Sequence, residues 1–172
     1  MAQQRKDKNF IGVDVKGARI WKGAKIAIEE QLEHVAFVRM RIERIARFFG
    51  PGEISEIWIT FPDPFLKKGK ANRRLTSLPF LNLYRTILHP EGIVHLKTDD
   101  PTLYEFTLDV IEKDPQSKLI YQSDDIYAAP LYTPELNLKT YYENMHLAQQ
   151  KTIKYVRFSI HYSPKNAASP AP

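Results

Sequence analysis

The sequence predicts an α/β domain built on a mainly parallel β-sheet. Short β-rich runs alternate along the chain with helical stretches of 8 to 14 residues, which is typical of parallel strands connected by helices. The length of 172 residues and the hydrophobic content of 43% suffice for one domain with a hydrophobic core. The last two strand candidates are less regular, so we expect them to form an antiparallel edge of the sheet.

Six strands are predicted from runs rich in β-branched and aromatic residues. They cover residues 10–15, 35–40, 54–61, 92–98, 118–122 and 152–162. The run at 54–61, ISEIWITF, has the strongest character of a buried strand. We therefore expect one domain over residues 1–162, followed by a flexible tail over 163–172 with the composition SPKNAASPAP.

Five helices are predicted between these strands, over residues 18–31, 42–49, 78–88, 102–113 and 138–149. The first has one apolar face, formed by Ile20, Ala24, Ala27 and Ile28. Gly50-Pro51-Gly52 ends the second helix, and Pro79 lies in the first turn of the third, where proline is tolerated. The fourth begins at Asp100 or Pro101.

Composition and charge exclude several classes of protein. Cysteine is absent, which rules out disulfides, thiolate metal sites and a cysteine nucleophile. No apolar run approaches the roughly 20 residues that span a bilayer, and the start MAQQRKDKNF lacks the apolar core of a secretory leader. The net charge of +5 permits a polyanionic partner without establishing one. We expect a cytoplasmic protein with no membrane association.

Aspartates stand at or just after three of the predicted parallel strands. They are Asp14, Asp63 and Asp99. Ligands of α/β sheets bind beyond the carboxyl ends of the strands, so these carboxylates are candidate site residues. Asp14 is suited to accept hydrogen bonds from the vicinal hydroxyls of a ribose, or alternatively to cap the following helix. Asp99 is suited to read a base edge, although Asp99 or Asp100 capping the next helix is an equal alternative.

The loop Phe61-Pro62-Asp63-Pro64 restricts its own aspartate. The two flanking prolines fix φ and remove backbone donors, which holds the carboxylate at the strand edge with little freedom. A stiff loop of this kind suits a catalytic or binding group. The alternative is a structural proline turn in which the aspartate is an N-cap.

A basic segment follows this loop. Residues 67–74, KKGKANRR, carry five cations in eight residues. Most such runs are solvated loops, but the position beside Asp63 favours contact with a phosphate backbone. Further along, Thr140-Tyr141-Tyr142-Glu143 lies in the last predicted helix, where Glu143 alternatively pairs with Lys139 on the surface. The five histidines are scattered, so no metal site is predicted, and His95 is expected to be packed in a strand.

Several runs together resemble the tRNA (guanine-N7-)-methyltransferase family. They are GVDVKGARIWKGAK, ISEIWITFPDPFLKK, NRRLTSLPFLNLYRTILHPEGIVHLKTDD and LKTYYE. The resemblance covers roughly residues 9–160, and its most specific parts are FPDP with the following lysines and arginines, and the HLKTD strand. It implies a Rossmann-like fold that binds S-adenosylmethionine, without a metal, and transfers a methyl group to N7 of a guanine in the variable loop of tRNA.

The resemblance also implies a role for individual residues. Asp63 matches the catalytic aspartate, which lies against the cofactor, and Asp14 and Arg41 match the other cofactor-binding positions. Matches to substrate-binding positions are Lys67, Asp99, Thr140, Tyr141, Tyr142 and Glu143. Matches to the segment that contacts RNA are Lys68, Gly69, Lys70, Ala71, Asn72, Arg73 and Arg74. Many family members carry Asp or Asn at the position of Arg41.

The sequence departs from the family at its start. Family members have a glycine-rich cofactor loop before the strand that ends at Asp14, and this chain shows no such strand, loop and helix. We therefore expect an N-terminally truncated sheet that lacks its first strand and helix, binds the cofactor weakly, and self-associates through open sheet edges. One alternative is a non-enzymatic RNA-binding remnant of such an enzyme. A weaker alternative is a methyltransferase that acts on another nucleic acid or a small molecule.

Overall fold

A computed structural model describes residues 1–160, which form two compact units. The first covers Met1–Phe48, and the second begins at Phe49. The predicted tail at 163–172 and the end of the last predicted strand lie outside the described residues. Each unit is built around its own sheet, and the domain expected over residues 1–162 stays a prediction.

The first unit is a β-α-β arrangement. Its elements are β1 (Phe10–Asp14), α1 (Gly17–Glu29) and β2 (Val35–Arg39), followed by a 3-10 helix at Ile42–Arg47. Strands β1 and β2 are parallel, with Phe10 opposite Val35 and Asp14 opposite Arg39. The ring of Phe37 lies so close to Gly12 and Gly23 that a Cβ at either would be 2.5 Å from it. Glycine at both positions therefore lets strand and helix pack on this ring.

The second unit is a four-stranded mixed sheet with the order β3-β4-β6-β5. Its strands are β3 (Ile54–Thr60), β4 (Leu88–Thr98), β5 (Ser117–Ser123) and β6 (Lys154–Ile160). Its helices are α2 (Leu78–Arg85), α3 (Pro101–Lys113) and α4 (Tyr141–Ala148). Strands β3 and β4 are parallel, whereas β6 runs antiparallel to both β4 and β5. The predicted α/β fold with an antiparallel C-terminal edge is confirmed.

Part of the core of the second unit lies between its sheet and the helices α2 and α3. Helix α2 contacts β4, and α3 contacts β4 and β6. Alternate residues of the central strands, such as Val94, Leu96 and Phe158, are fully buried, as expected for a sheet face covered by helices. A buried hydrogen bond of 2.7 Å joins the hydroxyls of Thr76 and Thr107 within this layer.

Several element boundaries differ from the sequence prediction for identifiable reasons. Helix α4 begins at Tyr141 rather than near 138, because Thr140 forms a capping box with Glu143. Strand β4 begins at Leu88 rather than 92, because Leu88 pairs with Ile54 ahead of an irregularity in the ladder. The helix predicted at 42–49 is a 3-10 helix, and a second 3-10 helix, Lys68–Arg73, occupies the basic segment predicted as a loop. Within residues 1–160, no helix has the length and apolar character needed to cross a membrane.

Candidate active site

The carboxyl ends of β3 and β4 bring two of the predicted aspartates to one edge of the second unit. The two strands are parallel, and the Phe61 amide continues their ladder by donating to the Lys97 carbonyl at 2.8 Å. The loop with Asp63 leaves β3 at this point, and Asp99 follows β4 at the same edge. The arrangement is the one in which α/β sheets bind ligands.

Asp63 is exposed and stabilises a tight turn. Its Oδ1 accepts a hydrogen bond of 2.9 Å from the Phe65 amide, and within residues 1–160 no other group bonds to the carboxylate. Phe61 and Phe65 adopt φ values of 48° and 42°, in the left-handed region that non-glycine residues rarely occupy. The carboxylate therefore holds a turn, as the structural alternative supposed, and also presents its second oxygen to solvent.

The basic segment is accessible along nearly all of its length. Its exposed residues are Lys67, Lys68, Gly69, Lys70, Asn72 and Arg73, and Ala71 is half-buried. The guanidinium of Arg73 lies 4.7 Å from the centre of the Phe65 ring, which places one cation directly beside the Asp63 turn. The exposed cations can bind a polyanion.

Arg74 differs from the exposed cations in its surroundings, and its contact with RNA stays a prediction. The residue is only 5% exposed. Its Nε donates to the Pro64 carbonyl at 2.8 Å, and a terminal nitrogen donates to the Phe65 carbonyl at 3.2 Å. The guanidinium also lies 4.4 Å from the centre of the Phe106 ring on α3. Arg74 is turned inward because it provides the donors for carbonyls of the Asp63 loop.

Asp99 connects the end of β4 to helix α4 and the residues after it. Its Oδ2 lies 2.8 Å from Lys151 Nζ and 3.3 Å from His146 Nδ1. The His146 ring also stacks on Phe61, with 5.7 Å between ring centres. Asp100, rather than Asp99, caps α3, since its Oδ1 accepts from the Leu103 amide at 2.7 Å. These contacts bring α4 next to the Asp63 edge and leave Asp99 free of the capping role.

Glu143 is fully buried in an ion pair with Lys97. The Tyr127 hydroxyl donates to Glu143 at 2.6 Å, and the Thr140 amide donates to it at 3.3 Å. Burial lowers the pKa of Lys97, although the hydrogen bond that Lys97 donates to Glu143 opposes the shift. The prediction of a surface pair between Glu143 and Lys139 is wrong, because the Lys139 amine lies over the Tyr127 ring, 4.9 Å from its centre. Glu143 is thus a buried partner of Lys97 and Tyr127, and its role in substrate binding stays a prediction.

The other residues of the T-x-x-E motif remain near the surface. Thr140 is half-buried and accepts from the Glu143 amide at 3.1 Å, whereas Tyr141 and Tyr142 are exposed. The two tyrosine rings meet edge to face with 5.7 Å between their centres. Aromatic faces that water can reach at a helix N-terminus are suited to contact a base, so substrate binding by these residues stays a prediction.

In the first unit, the ends of β1 and β2 lie side by side. The Met40 amide donates to the Asp14 carbonyl at 3.2 Å, and Arg41 is exposed just beyond β2. The Asp14 carboxylate accepts from the Lys16 amide at 2.8 Å and from Arg19 at 3.2 Å. Lys16 is the N-cap residue of α1, so the hydrogen bond from its amide to Asp14 also stabilises the start of that helix.

Four residues near the Asp63 edge were not predicted from the sequence as site residues: Lys97, Tyr127, His146 and Lys151. Lys97 occurs in the apolar strand run GIVHLKT. A cation buried in such a strand needs a partner of opposite charge, so the position of Lys97 was the one indication of an ion pair in the sequence. Its partner is 46 positions away, at 143, and only the fold brings the two together. Within the described residues, no group of three His, Asp or Glu side chains could hold a metal.

The sheet order and the carboxylates at the strand ends are those of a Rossmann-like methyltransferase fold. Solved structures support this class. An rRNA methylase from Streptococcus thermophilus aligns over 90% of this chain and 74% of its own, with a TM-score of 0.52 and 13% identity. Geranyl diphosphate C-methyltransferase from Streptomyces coelicolor A3(2), in a complex with S-adenosyl-L-homocysteine, aligns over 94% and 67%, with a TM-score of 0.60 and 16% identity. At these identities the likeness shows the fold alone.

The chain belongs to the putative methyltransferase family whose model matches residues 1–156. It is 45% identical over 162 residues to a tRNA (guanine-N(7)-)-methyltransferase of Christiangramia forsetii, covering 71% of that protein. Proteins of the same name from Bacteroides thetaiotaomicron and Porphyromonas gingivalis are each 46% identical. These two matches extend over 90% of this chain, but they extend over only 60% and 62% of the relatives' own lengths.

Proposed function

We propose that this protein transfers a methyl group from S-adenosylmethionine to N7 of a guanine in the variable loop of tRNA. The observation that carries the proposal is the exposed Asp63 carboxylate beside an accessible basic segment, in a chain 45% identical to a protein named for this reaction. A tRNA substrate implies action in the cytoplasm. The basic segment favours this substrate over a small molecule, which would leave the accessible cations without a role.

The chemistry requires little proton transfer. Guanine N7 has an available lone pair that is exposed in the major groove and needs no deprotonation. S-adenosylmethionine would supply a methyl group already activated by its positively charged sulfur. The N7–C bond would form as the S–C bond breaks, the sulfur would leave as the neutral thioether of S-adenosylhomocysteine, and the positive charge would pass to the purine. Alignment and electrostatics can therefore provide most of the rate enhancement.

Asp63 is the residue suited to respond to this charge. Its second oxygen is accessible, and its position is restricted by the flanking prolines and by the bond to the Phe65 amide. A fixed carboxylate stabilises a purine that gains positive charge without having to reorganise during the reaction. Asp63 thus acts through electrostatic stabilisation and needs no general base as a partner.

The exposed cations of the basic segment would hold the RNA strand. Lys67, Lys68 and Lys70 provide point charges, and Arg73 provides a planar fork that can grip a phosphate at two points. These contacts neutralise phosphates and release counterions, so tRNA binding should weaken as salt is raised. Asp99, Thr140, Tyr141 and Tyr142 lie in the same unit and would contact the nucleotide itself.

In the first unit, Asp14 fits the ribose of the cofactor. An ionised carboxylate offers about four acceptor positions, and the Lys16 amide and Arg19 use two of them. The remaining positions suit the two ribose hydroxyls. Arg41 follows the neighbouring strand and would contact the adenine side.

A methyl-transfer assay on unmodified tRNA tests the proposal. The chain should incorporate labelled methyl groups, and chemical cleavage at N7-methylguanine should map them to the variable loop. A transcript with that guanine replaced by adenine should remain unlabelled. Salt-dependent tRNA binding with no methyl transfer at saturating S-adenosylmethionine would contradict the proposal and support the RNA-binding alternative.

A further inference from the structure

Two adjacent arginines at the end of the basic segment face opposite environments. Arg73 is exposed, with its guanidinium above the Phe65 ring. Arg74 is buried at 5% exposure, and its guanidinium reaches the loop that follows Asp63. The sequence alone presents the two as equivalent cations, but only Arg73 is accessible to a phosphate.

Arg74 binds the carbonyls of the two residues that follow Asp63. It donates to the Pro64 carbonyl at 2.8 Å and to the Phe65 carbonyl at 3.2 Å. Phe65 is the residue whose amide donates to Asp63 Oδ1, and its left-handed φ of 42° is unfavourable in isolation. A side chain that holds both carbonyls stabilises this conformation and the carboxylate attached to it.

The guanidinium is itself firmly located. It lies 4.4 Å from the centre of the Phe106 ring, and the Arg74 amide donates to the Ala71 carbonyl at 3.0 Å, at the end of the 3-10 helix. The planar fork of arginine can direct donors at two carbonyls in fixed relative positions, which the single ammonium of lysine does not reproduce. The contact therefore depends on arginine specifically and not on positive charge.

We propose that Arg74 is a positioning residue for methyl transfer, acting through the Pro64 and Phe65 carbonyls to hold the Asp63 carboxylate in place. The inference rests on the proposed function, in which Asp63 stabilises the reacting guanine. Because Arg74 acts on the loop rather than on RNA, its replacement should lower kcat and leave the KM for tRNA and the salt dependence of tRNA binding near their original values.

The experiment compares Arg74→Lys and Arg74→Gln with the matched pair Arg73→Lys and Arg73→Gln. Arg74→Lys should lower kcat at least about tenfold, a factor that corresponds to about 1.4 kcal/mol. Arg73→Gln should instead raise the KM for tRNA and reduce the slope of log K against log salt by about 0.7, the value for one phosphate contact on a single strand. Arg73→Lys keeps the charge and should largely retain that slope.

Hydrogen exchange at the Phe65 amide provides a readout independent of activity. Faster exchange at Phe65 in Arg74→Lys, with a thermal midpoint near that of the original chain, would support the proposal. Unchanged kcat and unchanged exchange would overturn it, as would a kcat loss that only follows the loss of folded protein. A reduced salt slope in Arg74→Gln would also overturn it. If the original chain transfers no methyl group, the proposed function fails, whereas the exchange measurement still decides whether Arg74 holds the loop that follows Asp63.

Discussion

The Nζ atom of Lys97 lies 2.7 Å from Oε1 of Glu143, and both side chains are buried. The pair links the end of β4 to the first turn of α4, and Lys97 also donates to the Leu136 carbonyl at 2.9 Å. Asp99 and Phe61 contact His146 of the same helix. The ion pair thus fixes α4 beside the edge from which Asp63 emerges.

Removing one partner of this pair should destabilise the second unit strongly. Lys97→Met leaves the Glu143 carboxylate buried without its cation, and breaking a buried pair costs about 3–5 kcal/mol. Urea unfolding of the full chain measures the loss. Lys113→Met, in the exposed pair with Asp109, is the matched control and should cost about 1 kcal/mol or less. Equal losses in the two variants would contradict the buried role of Lys97.

Replacing Asp63 should lower kcat strongly with little loss of stability. Asp63→Asn keeps an oxygen that can accept from the Phe65 amide but removes the charge that would stabilise the methylated guanine. We expect a loss in kcat of about 100-fold or more. Asp109→Asn, an exposed aspartate on α3, should retain full methyl transfer. The two variants are compared by single-turnover transfer at saturating tRNA, and near-original activity in Asp63→Asn would refute the assignment.

Replacing Asp14 should weaken cofactor binding. Asp14→Ala removes the acceptors proposed for the ribose hydroxyls, and losing hydrogen bonds to a charged group costs about 1.5–3 kcal/mol, or roughly tenfold to hundredfold in affinity. Calorimetric titration with S-adenosylmethionine measures the change. Glu29→Gln, an exposed position at the end of α1, is the control and should bind as the original chain does. Identical affinities for all three proteins would exclude Asp14 from the cofactor site.

His95 should make the second unit sensitive to mild acid. Burial lowers the pKa of His95, against the opposing effect of Glu56, and the ring stacks on Trp58 with 3.9 Å between centres. Because the pKa of His95 is lower in the folded state than in the unfolded state, the stability that the neutral ring contributes is fully present above the unfolded-state pKa of about 6.5. It is lost as the pH falls from there toward the folded value.

Unfolding free energies measured between pH 7.5 and pH 5, about the window in which histidine gains its charge, test this prediction. His95→Gln should show a flatter dependence on pH than the original chain, because the group that takes up the proton is removed. His89→Gln, at an exposed position, is the control and should keep the original dependence. A steep dependence that persists in His95→Gln would assign the acid sensitivity to another group.

The sequence was informative about those features of the site that depend on residues close together in the chain. The prolines around Asp63 predicted a restricted carboxylate, and the strand ends predicted that Asp63 and Asp99 share one sheet edge. The lysines and arginines of residues 67–74 likewise predicted a cationic segment, and most of it is accessible. Each of these inferences uses spacing within one element or the parallel order of strands, which a single chain displays directly.

The sequence was uninformative where orientation and distant partners decide. Arg73 and Arg74 are chemically identical neighbours, and only the packing of Phe106 and two loop carbonyls directs Arg74 inward. Glu143 and Lys139 match the spacing of a surface pair, but Glu143 turns to Lys97 on another element. Burial depends on contacts between residues far apart in the chain, which local patterns do not encode.

The sequence by itself determined the α/β class, the aspartates at the strand ends and the cationic segment, because periodicity, turn residues and charge are local properties. The tertiary structure alone decided which cations remain in solvent and which carboxylates are enclosed. A charged side chain loses its hydration when it is buried, so its role is fixed by the partner that compensates for that loss, and the folded chain supplies the partner.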